Sequence, residues 1–247
     1  MVLQKEQVKR NFDKASSSYH SVASIQKKCA TKLVGYLQMY FPTFYPHAIL
    51  DLGTGTGYIP EILCCAFPAS KFTLNDISPN MLEKAKKQLT SEKVTCILGD
   101  MEVQHFDFHD LIISNLAFQW VNDLHKTIRK FYEKSSVIAF SCVLDDTFSE
   151  WSKIFIESSL PAPTHQYPSR QALERYLLSL HPSKYFCEAQ EFHLAFSNSI
   201  NFMRYLKDLG ATYSNQKIAI SDLKKIVTTY TDTINITYKV FFGILSK

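Results

Sequence analysis

The sequence predicts an α/β fold: a doubly wound, mostly parallel sheet whose strand C-termini hold a ligand. Three observations predict it. From residue 47 to residue 143, apolar stretches of strand length alternate with amphipathic helical stretches. Glycine is scarce, with seven in 247 residues where average usage of ~7% would give roughly seventeen, yet Gly53, Gly55 and Gly57 fall within five residues. These three stand between the first strand and the first helix of the alternation, and acidic residues close the first three strands.

Residues 1–45 are expected to form a helical lid. From Val22, apolar residues recur at Ile25, Cys29, Leu33, Tyr36, Leu37 and Tyr40, spacings of three and four that gather them on one helical face. Two prolines in residues 41–47 (FPTFYPH) end that helix. Residues 46–144 form the ligand-binding core, with strands at 47–52, 71–76, 94–98, 110–114 and 137–143 and helices at 56–67, 78–89 and 123–134. Ser78-Pro79 opens the second of these helices as N-cap and first helical residue. In the third, Leu124, Ile128, Phe131 and Tyr132 share the buried face. Residues 145–247 break the alternation with helices at 148–158, 170–180, 200–209 and 221–231 and strands at 188–196 and 234–245. The last strand is expected to lie antiparallel beside 188–196, completing seven strands. The two helices inserted before it would roof a pocket. At roughly 1.6 times a 150-residue domain, the chain is read as one domain over residues 1–247.

Composition narrows the function classes. Apolar residues make up 46% and charged residues 20%, enough for a sizeable core. No apolar run approaches the ~18 residues of a membrane span, and the opening MVLQKEQVKR lacks the apolar segment of a secretory signal. Six cysteines without CxxC spacing read as free thiols in a reducing compartment, so the cytoplasm is expected. The eight histidines show no ligand spacing, no metal is expected, and His20 is read as exposed. A net charge of +4 is too small to argue for nucleic acid. Its distribution says more. Residues 1–35 carry Lys5, Lys9, Arg10, Lys14, Lys27, Lys28 and Lys32 against Glu6 and Asp13, either a solvated face or a docking surface for an acidic partner.

The chemistry sits at the strand ends. Asp51-Leu-Gly-Thr-Gly-Thr-Gly57 gives G-x-G-x-G with an acid two residues before the first glycine, whereas a dinucleotide fingerprint reads G-x-G-x-x-G. The glycines let the backbone approach a ligand closely, and the helix start offers unpaired N–H groups. An acid at this point suits the ammonium of an amino acid, as at one end of S-adenosylmethionine. Asp76, nineteen residues past Gly57, ends the second strand where a carboxylate accepts both ribose hydroxyls. Gly99-Asp100-Met101 ends the third, where Asp100 can accept from the adenine amino group and Met101 pack its ring. Taken singly, Asp51 or Asp100 is also a turn-capping acid. Together and in order, the three describe a Rossmann-like adenosylmethionine site.

These residues resemble a class I methyltransferase. Four further segments resemble the malonyl-[acyl-carrier protein] O-methyltransferases of biotin synthesis. They are Ser114-Asn-Leu-Ala-Phe-Gln-Trp120 after the fourth strand, Phe12-Asp-Lys-Ala-Ser-Ser-Ser-Tyr19 near the N-terminus, Phe202-Met-Arg-Tyr-Leu-Lys-Asp-Leu-Gly-Ala-Thr212 in a late helix, and Thr237-Tyr238 through Gly243 in the closing strand. The likeness covers nearly the whole chain. Two segments depart from it: residues 133–136 lack the Pro-Gly-Gly common before the fifth strand, and Ile220-Ser221 stands where Thr-Arg is expected.

The resemblance implies S-adenosyl-L-methionine as cofactor and S-adenosyl-L-homocysteine as product. Cofactor contacts are expected from Asp51, Gly53, Thr54, Gly55, Gly57, Asp76, Ile77, Asp100, Met101, Asn115 and Leu116. It also implies that the methyl goes to the free carboxylate of a malonyl thioester on an acidic acyl carrier protein, or on CoA. A carboxylate is already ionised at pH 7, so no general base is needed. Arg204, then Lys207, is the expected cation for the carboxylate oxygen that does not react, with a solvated helix face as the alternative. Tyr19 is expected to fold over the cofactor, and Gln119 and Trp120 to lie on the substrate side. Two other functions stay open: methylation of a different small carboxylate or a quinone ring, and a non-catalytic assembly protein that keeps the fold.

Overall fold

In a computed structural model, residues 3–89, 93–163, 166–212 and 218–247 are described. Two helices, α1 (Lys5–Val22) and α2 (Ser24–Tyr40), precede the alternation β1 (Ala48–Leu52), α3 (Tyr58–Ala66), β2 (Lys71–Asp76), α4 (Pro79–Gln88), β3 (Val94–Leu98), β4 (His109–Asn115), α5 (Leu124–Glu133) and β5 (Ser135–Val143). There follow α6 (Ser149–Glu157), α7 (Arg170–Leu178), β6 (Lys184–Phe196), α8 (Ser199–Asp208), α9 (Ile220–Thr229) and β7 (Ile234–Ser246). The seven strands form one sheet in the order β3-β2-β1-β4-β5-β7-β6. Strands β1 to β5 run parallel, and β7 lies antiparallel between β5 and β6. Strand β6 begins at Lys184, four residues before its apolar alternation suggests, because Tyr185, Phe186 and Cys187 pair with Leu245, Ile244 and Gly243 of β7.

Alternate residues of each central strand feed opposite faces, as a two-residue pleat requires. Leu111 and Ile113 of β4 and Val137 and Ala139 of β5 pack with Ile25, Cys29, Leu33 and Leu37 of α2 and Leu63 of α3. Ile112, Ile138 and Phe140 face the other way, onto Ile128 and Phe131 of α5 and Leu173 and Leu177 of α7. A third cluster joins α6, α8 and α9 around Trp151, Phe155, Phe202 and Ile226. Caps begin the helices as their sequences require: Ser78 Oγ accepts from Met81 N at 3.1 Å with Pro79 behind it, and Asp123 accepts from Lys126 N at 2.9 Å. Gly210, φ +74°, closes α8 in the left-handed region.

Strand order reverses between β1 and β4, and the crevice at such a reversal, at the strand C-termini, is where doubly wound sheets bind ligands. The glycine loop leaves β1 there, and Asn115-Leu116 leaves β4 beside it. Helix α1 crosses the opening: it touches α4 through Asp13, whose carboxylate accepts from Ser78 Oγ at 2.5 Å, and α8 through Ser18 Oγ, which donates to Asp208 O at 2.9 Å. The six cysteines are free thiols, with Cys29 and Cys142 buried. Among the described residues no helix is long and apolar enough to cross a membrane.

Candidate active site

The site grows out of the turn after β1. Gly53 has φ +67°, and a Cβ there would stand 2.4 Å from Ala117 Cβ, so both conformation and space demand glycine. Gly55 and Gly57 share the left-handed region, and Gly57 is the N-cap of α3. Thr54 N donates to Asn75 O at 2.9 Å, which ties the loop to the end of β2.

Behind this loop Asp51 is 1% exposed, and neither of its carboxylate oxygens has a hydrogen-bond partner. Burial pushes its carboxyl up to about 7, with Asp76 adding to the rise and the Thr54 hydroxyl opposing it. The buried hydroxyls of Thr54 and Thr56 and the Asn75 amide oxygen are also unpartnered. A buried acid without counter-charge is costly; four buried polar groups left so where the turn after β1 meets the end of β2 describe a place suited to a donor-rich, cationic group. The ammonium of an amino acid fits it.

Asp76 is arranged differently. Its Oδ2 accepts from Gly55 N and its Oδ1 from Ser78 N, each at 2.8 Å. Burial pushes it up to about 6 against those backbone donors, while Asp13 adds to the rise. A carboxylate has about four acceptor sites, so two remain for a pair of hydroxyls. At the end of β3, Asp100 Oδ1 accepts from Glu102 N at 3.1 Å and from Lys5 Nζ at 3.2 Å. The turn beyond it is drawn together by Lys130 of α5, which donates to the carbonyls of Met101, Glu102 and Gln104 at 2.7, 3.0 and 2.7 Å.

A cavity of about 70 Å³ joins these groups, with Gly53, Gly55, Asp76, Ile77, Asp100, Met101, Asn115 and Leu116 all on its wall. Asn115 is oriented by Ser141 Oγ, which donates to its Oδ1 at 2.8 Å, while its Nδ2 donates to Gln26 O at 3.0 Å. Leu116 takes φ +50°, a strained value for a branched side chain, and points the turn at the glycine loop. Asp51, Thr54 and Gly57 support the loop from behind. Small-molecule pockets run ~300–1,000 Å³, so this cavity is closed down, and α1 closes it. Val8, Phe12 and Tyr19 line it, and the Tyr19 hydroxyl lies 3.9 Å from where a Gly55 Cβ would be. Burial raises that hydroxyl far above its ordinary value, with Tyr58 and Asp76 adding to the rise. Lys5 fastens the lid. Besides Asp100 it reaches Glu102 Oε2 at 2.5 Å and Trp120 O at 2.8 Å, while Leu3 N donates to Asn122 Oδ1 at 2.5 Å. Burial alone would raise Glu102; hydrogen bonds from Lys5, Asn122 N and Asp123 N hold it below the usual range.

The remaining sequence-predicted residues part company. Trp120 lines the cavity, edge-on to Phe12 at 5.5 Å. Gln119 turns back to donate to Leu116 O at 2.6 Å and faces a separate depression with His125 and Pro168. Arg204 and Lys207 are not brought to the glycine loop. Helical phase decides this: Phe202 and Leu209 take the inner face of α8, which leaves Arg204 and Lys207 exposed on the outer one. They line a second cleft, to which α1 contributes Asn11, Lys14, Ala15 and Ser18. His20 is exposed beside the Tyr58 ring. Lys5, Glu102 and Lys130, missed in the sequence, join elements 20 to 115 residues apart. Asn75 had one signal, a polar residue inside the apolar run of β2.

A methyltransferase-domain family model matches residues 49–134, which span the three acids and the loop. The malonyl-[acyl-carrier protein] O-methyltransferase of Neorickettsia risticii is 35% identical over 240 residues, covering 97% of this chain and 96% of the relative. Its counterpart in Priestia megaterium is 32% identical, covering 87% and 85%. Among solved structures, the YcgJ protein of Bacillus subtilis aligns with TM-score 0.60 at 17% identity, over 88% of this chain and 98% of that one. The plantazolicin methyltransferase BpumL, in complex with SAH, aligns with TM-score 0.52 at 16% identity, over 98% and 90%. The two solved structures share the fold.

Proposed function

The chain belongs to the malonyl-[acyl-carrier protein] O-methyltransferase family. From that premise we propose that it methylates the free carboxylate of a malonyl thioester on an acyl carrier protein, a step of biotin synthesis. S-adenosylmethionine supplies an electrophilic methyl group and leaves as S-adenosylhomocysteine.

The observation that carries the reading is Asp51, a buried acid without a partner at the glycine loop. From behind the loop it serves the amino-acid ammonium directly or through a water. Asp76 uses its two remaining acceptor sites for the ribose hydroxyls, beside Ile77. Asp100, once Lys5 yields, takes the adenine amino group against Met101. Tyr19 covers the Gly55 end, where the methyl is presented, with Asn115 and Leu116 as the opposite wall.

The acceptor oxygen is charged at neutral pH, so these residues need move no proton. What the chain contributes is alignment and exclusion of water, a contribution of at most ~7–11 kcal/mol. Residues 1–45 act as the lid, 46–144 hold the cofactor and 145–247 form the substrate side of one domain. An acidic carrier protein suits the basic N-terminal surplus, and free thiols suit the cytoplasm.

The test is a methyl-transfer assay with malonyl-carrier protein, malonyl-CoA and free malonate side by side. Transfer to a malonyl thioester, with ester product, is expected. Absence of transfer to either thioester, in protein that binds the cofactor, overturns the substrate assignment.

A further inference from the structure

Resting on that reading, we infer that the cleft between α1, α8 and α9 seats the acyl carrier protein, held there through an acidic face. The cleft has a volume of about 630 Å³. Lys14 of α1, Arg204 and Lys207 of α8 and Lys224 of α9 stand on its rim, with Asp208 the one acid among its described lining residues. All four cations are exposed. Among the described residues none forms an ion pair, and Arg204 makes a long hydrogen bond, to Asn201 Oδ1 at 3.4 Å. Lys5 and Lys130, by contrast, are spent on internal acceptors. Four cations from three elements converge on one opening without a counter-ion among the described residues, so their charge is left for something outside.

The floor sets the shape of that partner. Ile220 is 74% and Ile200 37% exposed, and Met203 and Leu223 continue the apolar strip between the charges. An apolar centre with a cationic rim is complementary to a surface with apolar residues framed by carboxylates. A second copy of this chain would bring like charges to the same cleft. The N-terminal cations contribute through Lys14 rather than Lys27, which sits 5.0 Å over the Tyr58 ring elsewhere on the molecule. Position also fits the chemistry. Ser18 lines the cleft and the next residue, Tyr19, lines the cofactor cavity. A tethered thioester therefore has to pass one helix, ~10–12 Å across, to reach the methyl group. This assignment also gives Arg204 and Lys207 a role that their outward placement permits.

The test titrates fluorescently labelled holo-carrier protein with wild type, with Lys14→Glu/Lys224→Glu and with Lys27→Glu/Lys28→Glu, following anisotropy at low and moderate salt. The first double variant is expected to raise Kd at least tenfold and to flatten its salt dependence; the second is expected to stay within threefold of wild type. Calorimetry with S-adenosylhomocysteine checks that both variants remain folded and competent for cofactor. If Lys14→Glu/Lys224→Glu binds the carrier within threefold of wild type, or the loss appears in Lys27→Glu/Lys28→Glu instead, the cleft is not the seat. A wild-type protein that methylates malonyl-carrier protein while the cleft variant still binds it normally overturns this inference alone. A wild-type protein that methylates no malonyl thioester overturns the function it rests on. Wild-type dimerisation abolished by the cleft substitutions would assign the cleft to a second copy.

Discussion

Replacing Asp51 with Asn separates what the acid costs the empty protein from what it contributes to the loaded one. Burial holds the carboxyl at about 7 in the folded chain, against an ordinary 3.8. At ~1.36 kcal/mol per unit the difference amounts to about 4 kcal/mol. The folded value lies above the unfolded one, so the folded chain binds the proton more tightly. That stabilisation is complete below about pH 3.8 and is lost as the pH rises through about 7. Asn keeps the shape without the charge, and the Thr54 hydroxyl beside it can accept from its amide. Cofactor-free Asp51→Asn is therefore expected to be more stable than wild type, with the gap widening by about 3 kcal/mol between pH 5 and pH 8. Urea denaturation at the two pH values measures it. Cofactor binding should move the other way, because the ammonium is left without a counter-charge at a buried position. A cost of ~3–5 kcal/mol corresponds to roughly two to four orders of magnitude in Kd by calorimetry. Wild-type affinity should rise with pH up to about 7, while the variant loses that step and keeps only the rise up to about 6 that Asp76 contributes. A gap that does not widen, or wild-type cofactor affinity in the variant, would refute the assignment of Asp51 as a ligand-directed acid.

Gly53→Ala meets both a left-handed φ and the Ala117 methyl, and should lower stability by about 2–4 kcal/mol in denaturant titrations together with cofactor affinity. Lys5→Ala frees Asp100 and Glu102. Limited proteolysis or amide exchange of cofactor-free protein should show α1 less protected, while cofactor affinity holds or improves; unchanged protection would mean that Lys5 fastens nothing. Phe202→Ala removes a ring packed 5.2–5.4 Å from those of Trp151, Phe196 and Phe148. It should cost about 3–5 kcal/mol, read as a lower denaturation midpoint.

The core alternation was legible because its signals are local. Each strand is a short apolar run, and each helix announces itself through capping or periodicity, as at Ser78-Pro79. The acids at three strand ends follow from that phasing, and so does their convergence. What escaped depends on partners distant in the chain. Ser135 and Ser136 read as a turn, yet they begin β5: Ser135 is buried, donating to Phe131 O at 2.9 Å, and His109 pairs with it across the sheet. The early start of β6 is likewise dictated by β7. Lys5 and Lys130 look like solvated lysines until the fold brings acceptors to them. The segment that carries Arg204 and Lys207 does not show which way they face, because a helix sends neighbours to different sides and Phe202 and Leu209 take the inner one. Gly243, unexplained by its surroundings in sequence, lies under the Phe140 ring, where a Cβ would come within 2.9 Å.

Helix α1 is a wall shared by two chambers. Any displacement of it that admits the cofactor also redraws the surface to which Lys14 belongs. Thermodynamic reciprocity then applies: whatever factor the cofactor imposes on affinity at the outer cleft, an occupant of that cleft must return to the cofactor. One helix, fastened at Lys5 and leaning on Asp208 through Ser18, thus ties occupancy of one chamber to occupancy of the other. A donor that enters while the lid is open, followed by a carrier that settles against the closed helix, would keep the methyl group from water until its acceptor is in place.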